Sequence, residues 1–448
     1  MAEVKILHYS LGFPPYRSGG LTKFCMDLMK EQTAEGHEVS LLWPGEMKLA
    51  GNAVSIRKGA PSGQIDSYEV INPLPVSYDE GIRDFGAFMY EGDAGVYGEF
   101  LEALKPDVIH VHTLMGLHKS FLNAAREKGI RLVFTTHDFF PICPKVTMFR
   151  HGRICASAGS CEECGVCNNT ALSLKKIRLL QSPLYRAAKD SPIVKKLRKH
   201  HRDEYLGDDS GRDGNGSAGT AEDFKNLRKN YQEMLSLMDI IHYNSTVAKK
   251  AYEKFMTMPE GRVIPISHSD ISDRRTAKDL SGDILRIRYL GAQSAAKGYL
   301  ILKDALDMLW NERQDLILDV HFEPAQNAPY IRVHDRFDYS GLEKIFDETD
   351  VLIAPSIWYE TFGFTVLEAL SFGVPVIISG TVGAKDILAE GAGIVIDDIS
   401  AQKIADVIRD LGRDKLSAMN GAILERQVII TLREMSVRIT DECYAEGR

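Results

Sequence analysis

One stretch constrains the fold more than any other: Asp350 to Ser379, which reads DVLIAPSIWYETFGFTVLEALSFGVPVIIS. Val351 to Ala354 is an apolar run of the length of a buried parallel strand, and Pro355 and Ser356 end it. A helix follows and closes at Gly373, and a second apolar run, Val374 to Ile378, begins at once. Strand, loop, helix, strand is the repeating unit of a doubly wound parallel sheet. In that unit the crevice beyond the carboxyl end of the first strand binds ligands, and the helix N-terminus offers unpaired N–H groups suited to phosphate. Glu360 in the loop and Glu368, expected in the first helical turn, flank the crevice. Gly363 between them lets backbone approach a ligand closely.

Glu360 and Glu368 are separated by seven residues and accompanied by Pro355-Ser356, Phe362-Gly363 and Glu368-Ala369-Leu370. This ordered string resembles the donor-sugar signature of family 4 glycosyltransferases, retaining enzymes of the GT-B fold. The resemblance implies two doubly wound, Rossmann-like domains facing across a cleft. It also implies that Glu360 faces the transferred sugar, that amides from Phe362 through Gly363, Phe364 and Thr365 contact sugar and phosphate, and that Glu368 holds the nucleotide ribose. Read without the resemblance, Thr365-Val-Leu-Glu368 is also a capping box, in which Glu368 would satisfy only a helix end, and Glu360 is a solvated loop charge.

A chain of 448 residues has room for two or three domains with substantial cores. A net charge of −8 gives no global reason to expect nucleic acid, so any basic surface is local. No apolar run reaches the roughly 18 to 20 residues of a membrane span, and Met1-Ala-Glu-Val-Lys5 leads straight into a strand without a secretory pattern. The expectation is a cytoplasmic protein. Seven cysteines in a reducing compartment argue against a disulfide framework.

Val4 to Ser10 reads as the opening strand, followed by the loop Pro14 to Gly20 and a helix from Leu21 to about Glu35. The resemblance implies that this loop faces the donor phosphates, with Gly19 and Gly20 as contacts from the second side. Val54 to Gly98 has weak periodicity and no assignable elements. Pro106 to His112 and Arg131 to Asp138 are strands again, with a helix between. His110, His112 and His137 lie at or near their carboxyl ends. For His110 and His112, ligand contact and core histidines satisfied by backbone stand as equal alternatives. His137, in Thr-His-Asp, matches the family position beside the sugar being transferred.

Five of the cysteines crowd into one insertion: Cys143-Pro144, Cys155, and Cys161-Glu-Glu-Cys164-Gly-Val-Cys167. Two-residue spacings let successive thiolates face one ion, and four complete a tetrahedral zinc site. The resemblance, in which a Cys-Pro and a later Cys-x-x-Cys recur, favours Cys143, Cys155, Cys164 and Cys167, with Cys161 as an exchangeable fifth. An iron–sulfur cluster is the runner-up. No metal is expected at the diphosphate. From Lys175 to Arg202, ten Lys or Arg face one acid, Asp190, with Leu174, Ile177, Leu184 and Leu197 among the interleaved apolar residues. Such a segment, 174–202, either lies on an anionic membrane surface or is a solvated helix face. Residues 207–220 have little to bury and read as a flexible loop.

The link between domains is expected from Arg262 to about Asp283, after a first domain of residues 1–265. A second domain, 284–428, follows, and then a helix, 429–448, that in GT-B enzymes crosses back. In the family, the loop Gly291 to Gly298 carries an arginine and a lysine on the diphosphate. Lys297 is in place, whereas Ala292 holds the arginine position, with Arg286 and Arg288 as candidate substitutes. The sequence thus leads to a retaining glycosyltransferase that uses a nucleotide-diphosphate sugar and a glycan or polyprenyl-linked acceptor, in surface polysaccharide or glycolipid assembly. His137, Lys297 and Glu360 form its expected catalytic site. A catalytically silent GT-B homologue and another nucleotide-sugar enzyme, such as an epimerase, are the alternatives.

Overall fold

The computed structural model describes residues 3–13, 19–77, 79–188, 191 and 216–445. Two parallel sheets form two Rossmann-like domains of a GT-B architecture. The first sheet uses β1 (Lys5–Tyr9), β2 (Glu38–Pro44), β3 (Ser55–Lys58), β4 (Asp66–Ile71), β5 (Val108–Val111) and β6 (Arg131–Thr135). A two-strand hairpin, β7 (Phe149–Arg150) with β8 (Arg153–Ile154), lies in the cysteine insertion, after which β9 (Ile240–Tyr243) and β10 (Gly261–Val263) return to the sheet. Its order is β10-β9-β6-β5-β1-β2-β4-β3, parallel throughout except for β3 on β4. The second sheet, with β11 (Leu285–Arg288), β12 (Leu316–Val320), β13 (Ile331–Val333), β14 (Val351–Ala354), β15 (Val376–Ser379) and β16 (Gly393–Ile396), has the order β13-β12-β11-β14-β15-β16 and is wholly parallel.

Both sheets carry helices on both faces, so central strands such as Val108–Val111 and Val376–Ser379 are buried along their whole length and are mostly apolar, His110 and Ser379 being the exceptions. The edge strand β3 is the opposite case. Its Arg57 and Lys58 are exposed, and Arg57 Nη2 lies 2.7 Å from Glu69 while Lys58 Nζ lies 2.9 Å from Asp66, so charge protects the open edge.

Between the sheets, the Gly20–Ala34 helix, the Phe364–Ser371 helix and the Leu432–Ile439 helix share one core, with Phe24, Leu28, Val366, Leu367, Met435 and Ile439 buried in it. Thr431 and Glu434 form a capping box that starts the last of these helices. Its Ser436 hydroxyl donates to Glu35 at 2.7 Å, and the following turn puts the Cys443 carbonyl 2.7 Å from Arg131 Nε and buries Tyr444 in the first domain.

Three expectations need correction. The link does not begin at Arg262, because Gly261–Val263 is the last strand of the first sheet, paired with β9. Val54 to Gly98 is ordered, holding β3, β4 and the Phe85–Phe88 and Ala94–Leu104 helices. The basic stretch 174–202 opens as two short helices, Leu174–Leu180 and Pro183–Ala188, and not as one solvated helix face. Ile177 is buried in the first domain, and Arg186 bonds both oxygens of Glu69 at 3.0 Å, so part of the stretch serves the fold itself. Of the remainder, 189–202 except Ser191 lies outside the described residues, as do 207–215 of the glycine-rich loop. Among the described residues no helix is long and apolar enough to cross a membrane.

Candidate functional site

The carboxyl ends of β11 and β14 open into a cavity of about 390 Å³ lined by Gly291, Ala292, Lys297, Ser356, Glu360, Gly363, Phe364, Thr365 and Glu368, with Phe337 to Tyr339 on its flank. This is the switch point of the second sheet, where the chain leaves β14 for β15 on one side after β11 and β12 have run to the other.

Gly298 sets the position of Lys297. It stands at φ +77°, and a Cβ there would lie 1.9 Å from the Pro355 carbonyl oxygen, so only glycine lets the two loops meet. Lys297 Nζ then reaches both oxygens of Glu360, at 2.6 and 2.7 Å. The Ser356 hydroxyl donates to the same carboxylate at 3.0 Å, and the Trp358 indole N–H does so at 3.4 Å. Burial pushes the Glu360 carboxyl up, but Lys297 and these two donors outweigh it and hold the group below its ordinary value. Glu360 is therefore an ionised, largely buried carboxylate, not the solvated loop charge of the alternative reading.

The Phe364–Ser371 helix starts at Gly363, at φ 101°, and no side chain caps it. Its first amides and its positive end face the cavity, a disposition suited to an anion. The capping-box reading fails here. Because the helix begins at Phe364, Glu368 lies in its second turn and not its first, beyond the end it would cap. Instead Glu368 Oε1 lies 3.2 Å from His268 Nε2. An ionised carboxylate only accepts, so His268 donates to Glu368 from Nε2, while its Nδ1 lies 3.3 Å from the Asp270 amide and 3.5 Å from the Asp270 carboxylate. The other carboxylate oxygen is left for a ligand hydroxyl. Lys23, 2.7 Å from Asp270 and 4.7 Å from the Tyr339 ring centre, carries this network across to the first domain.

Gly363, Phe364 and Thr365 line the cavity as expected, whereas the Phe362 side chain is buried in the core and its carbonyl accepts from the Ala384 amide at 2.7 Å. Arg286 and Arg288 do not take the place of the absent arginine. Arg286 is turned to Asp350, at 2.9 Å from Nε, and Arg288 is buried beside Thr349 and Asp319. At Ala292 only the backbone is engaged, its carbonyl accepting from Tyr289 at 2.7 Å.

From the first domain, Gly19 precedes the Gly20–Ala34 helix, and Gly20 faces Phe364, a Cβ there falling 3.9 Å from the ring edge. Neither glycine lines the cavity, and neither does His137. His137 comes to its rim: its carbonyl accepts from the Thr361 hydroxyl at 3.1 Å, the residue next to Glu360, while the Thr361 carbonyl accepts from Ser245 at 2.6 Å. His110 and His112 are buried, but their ring nitrogens bond side chains and not backbone, which corrects the core-histidine reading in its detail.

Cys143, Cys155, Cys164 and Cys167 line a second, small cavity of about 20 Å³. Cys161 is buried outside its wall, its thiol 3.9 Å from the Ala158 carbonyl. Among the described residues the one group of three ligand atoms within 4.8 Å of one another is His8, Cys25 and His112, so no three of the insertion's sulfurs come that close together.

Residues 18–157 match the family described as Glycosyltransferase Family 4, and residues 322–424 match Glycosyl transferases group 1. Each of the two domains thus contains a stretch that matches a glycosyltransferase family model. The second match spans Glu360, the Gly363 turn and Glu368. A curated relative, an uncharacterized 41.2 kDa protein in the cps region of Klebsiella pneumoniae, is 28% identical over 131 residues; the match takes 28% of this chain and about a third (36%) of the relative. Solved structures share the fold over nearly the whole length of this chain. Trehalose 6-phosphate synthase from Burkholderia multivorans gives a TM-score of 0.58 at 12% identity, covering 99% of this chain and 96% of its own. Sucrose-phosphate synthase from Thermosynechococcus elongatus gives 0.56 at 13%, covering 98% and 97%. Anabaena HepE in complex with UDP and glucose gives 0.53 at 14%, covering 98% and 99%.

Sequence reasoning missed His268, Lys23 and Trp358. His268 lies 100 residues before Glu368, in a link without periodicity, and nothing local marks it.

Proposed function

We propose that the chain transfers a sugar from a nucleotide-diphosphate donor, with retention, to a glycan or polyprenyl-linked acceptor. The observation that carries this reading is the shared cavity: one cation on one carboxylate, an uncapped helix N-terminus, and a second carboxylate oriented by His268. In this reading the helix amides and Lys297 receive the diphosphate, Lys297 offsets charge on the departing group, Glu360 positions the sugar and Glu368 takes the ribose hydroxyls. Relatives of the same fold that hold UDP-glucose, as HepE does, make UDP-sugars the first donors to try. Assembly of a surface polysaccharide or glycolipid is the setting proposed.

Thermal unfolding in the presence of UDP-, GDP-, ADP-, CDP- and TDP-sugars tests the donor site. One class should raise stability by about 2.7 kcal/mol at a hundredfold excess over Kd, and Glu368→Ala should lose most of that shift. No shift with any donor would favour the catalytically silent homologue, a reading that Ala292 keeps in play.

Four thiols on one cavity wall are the donor set for a tetrahedral structural zinc, and the proposed ligands are Cys143, Cys155, Cys164 and Cys167. They would draw together to bind it, which orders the loop after His137 and supplies no chemistry to the transfer. Metal analysis of anaerobically purified protein should find about one zinc per chain. Iron with sulfide would make it a cluster, and neither metal would leave the thiols unliganded.

A further inference from the structure

Five histidines of the first domain, with Thr135, Tyr444 and Gln32, form one continuous hydrogen-bonded wire. It begins at the Ile264 carbonyl, 2.8 Å from His242 Nε2, and His242 Nδ1 lies 2.9 Å from the Thr135 hydroxyl. Thr135 is 2.6 Å from His110 Nε2, and His110 Nδ1 is 2.7 Å from the Tyr444 hydroxyl. Gln32 Nε2 lies 2.9 Å from that hydroxyl, and Gln32 Oε1 lies 2.8 Å from His8 Nε2. His8 Nδ1 meets His112 Nε2 at 2.9 Å, and His112 Nδ1 meets His137 Nε2 at 3.2 Å, at the cleft.

A carbonyl oxygen only accepts, so His242 must donate from Nε2. A neutral imidazole then accepts at its other nitrogen, and each later group has one donor and one acceptor to place. The direction is thereby forced along the whole wire: Thr135 donates to His242, His110 to Thr135, Tyr444 to His110, Gln32 to Tyr444, His8 to Gln32, His112 to His8, and His137 to His112. All five rings carry the proton on Nε2. Burial favours the neutral form of each, lowering His8 and His242 to about 4 and His137 to about 3, and lowering His110 and His112 well below the ordinary value. The His8–His112 separation is that of a hydrogen bond, so the lone pairs that a metal at His8, Cys25 and His112 would need are already engaged.

We infer that this wire holds His137 in one tautomer, with an unprotonated Nδ1 toward the cleft, and that Tyr444 and Gln32 are positioning residues acting through it. His137 Nδ1 makes no hydrogen bond among the described residues, and the residue as a whole is only partly buried. A neutral acceptor nitrogen selects a hydroxyl donor and rejects carboxylate or phosphate oxygens. Resting on the proposed function, the group placed there is a sugar hydroxyl.

Nitrogen-15 NMR of histidine-labelled protein without substrate reads the tautomers directly. The expected result at pH 7 is a protonated Nε2 and a bare Nδ1 on all five rings. An Nδ1-protonated or charged His137, or a metal-shifted His8 or His112 that Cys25→Ala restores, overturns the inference. Tyr444→Phe removes the acceptor for Gln32 and lets its amide rotate, so His137 should show both tautomers, and turnover should fall about tenfold with donor KM unchanged; an unchanged tautomer overturns the role of Tyr444. In Gln32→Glu the carboxylate accepts from both sides. Tyr444 then turns away from His110, so His110 should lose its single tautomer while His137 keeps its own, and the reverse pattern overturns the assigned direction. The tautomers are measured without donor or acceptor, so failure of the transferase reading leaves this test intact.

Discussion

Lys297→Ala is expected to lower kcat/KM for sugar transfer by roughly 10² to 10³, the usual cost of removing one preorganised charge from a developing anion. It should also change how rate depends on pH. In the intact protein Lys297, with Ser356 and Trp358, keeps Glu360 below its ordinary range in spite of burial. Without the lysine, burial dominates and the carboxyl titrates higher. Residual activity should therefore rise with pH across a range where the parent enzyme is flat. Stability should fall by roughly 1–2 kcal/mol, less than for a fully buried broken pair, because the Lys297 side chain is 31% exposed. Glu360→Gln in the same background separates the effects: it should abolish the new pH dependence while leaving the rate low. A Lys297→Ala enzyme with parental kcat/KM would remove Lys297 from the diphosphate.

Acid should unfold the first domain well before it titrates the surface carboxylates. His8, His118 and His242 are lowered to about 4 and His137 to about 3, by burial first in each case, while His110 and His112 sit well below the ordinary value. A depressed folded-state value means that the stability is present above the unfolded value, near 6.5, and is lost as pH falls toward the folded one. At pH 5 each of His8, His118, His242 and His137 costs about 2 kcal/mol relative to neutral pH, and His110 and His112 act in the same sense. Asp138 acts in the opposite sense. Burial raises its carboxyl to about 6, so its contribution is full below the unfolded value and lost as pH rises through 6. Between pH 7 and 5 it returns about 1 kcal/mol. The net loss approaches the roughly 5–15 kcal/mol that holds a typical domain together. Calorimetry from pH 7.5 to 5 should show Tm falling by about 20 °C or more, and a Tm that stays level would mean these rings are charged or hydrated in the native state.

The central parallel strands were legible because they are buried on both faces and leave a plain apolar run, as in Val351–Ala354 and Val376–Ile378. The region from Val54 to Gly98 was not, since β3 is an exposed charged edge and Phe85–Phe88 is a single turn, and neither carries a usable period. Glu360 and Gly363 were found because their spacing is local to one strand–loop–helix unit, and Lys297 because it sits in the matching loop of the preceding unit, between β11 and the Tyr299–Trp310 helix. Glu368 was found but placed a turn early, since Thr365-x-x-Glu368 imitates a cap and the start at Gly363 depends on a backbone angle that the letters do not display. His268 and the histidine wire were out of reach for a different reason. Their partners are set by which strands lie side by side, and β1, β5, β6 and β9 are neighbours only after the sheet has been wound.

Tyr444 lies 334 residues after His110 and 412 after Gln32, yet it closes the space between them. A ribosome therefore delivers the whole first sheet long before it delivers the side chain that completes it. Until residue 444 has been made, His110 Nδ1 and the Gln32 amide lack the partner they have in the finished core, and an unsatisfied buried polar group costs roughly 1–3 kcal/mol. The nascent first domain is thus expected to be less stable by about that amount until a segment encoded after the second domain reaches it.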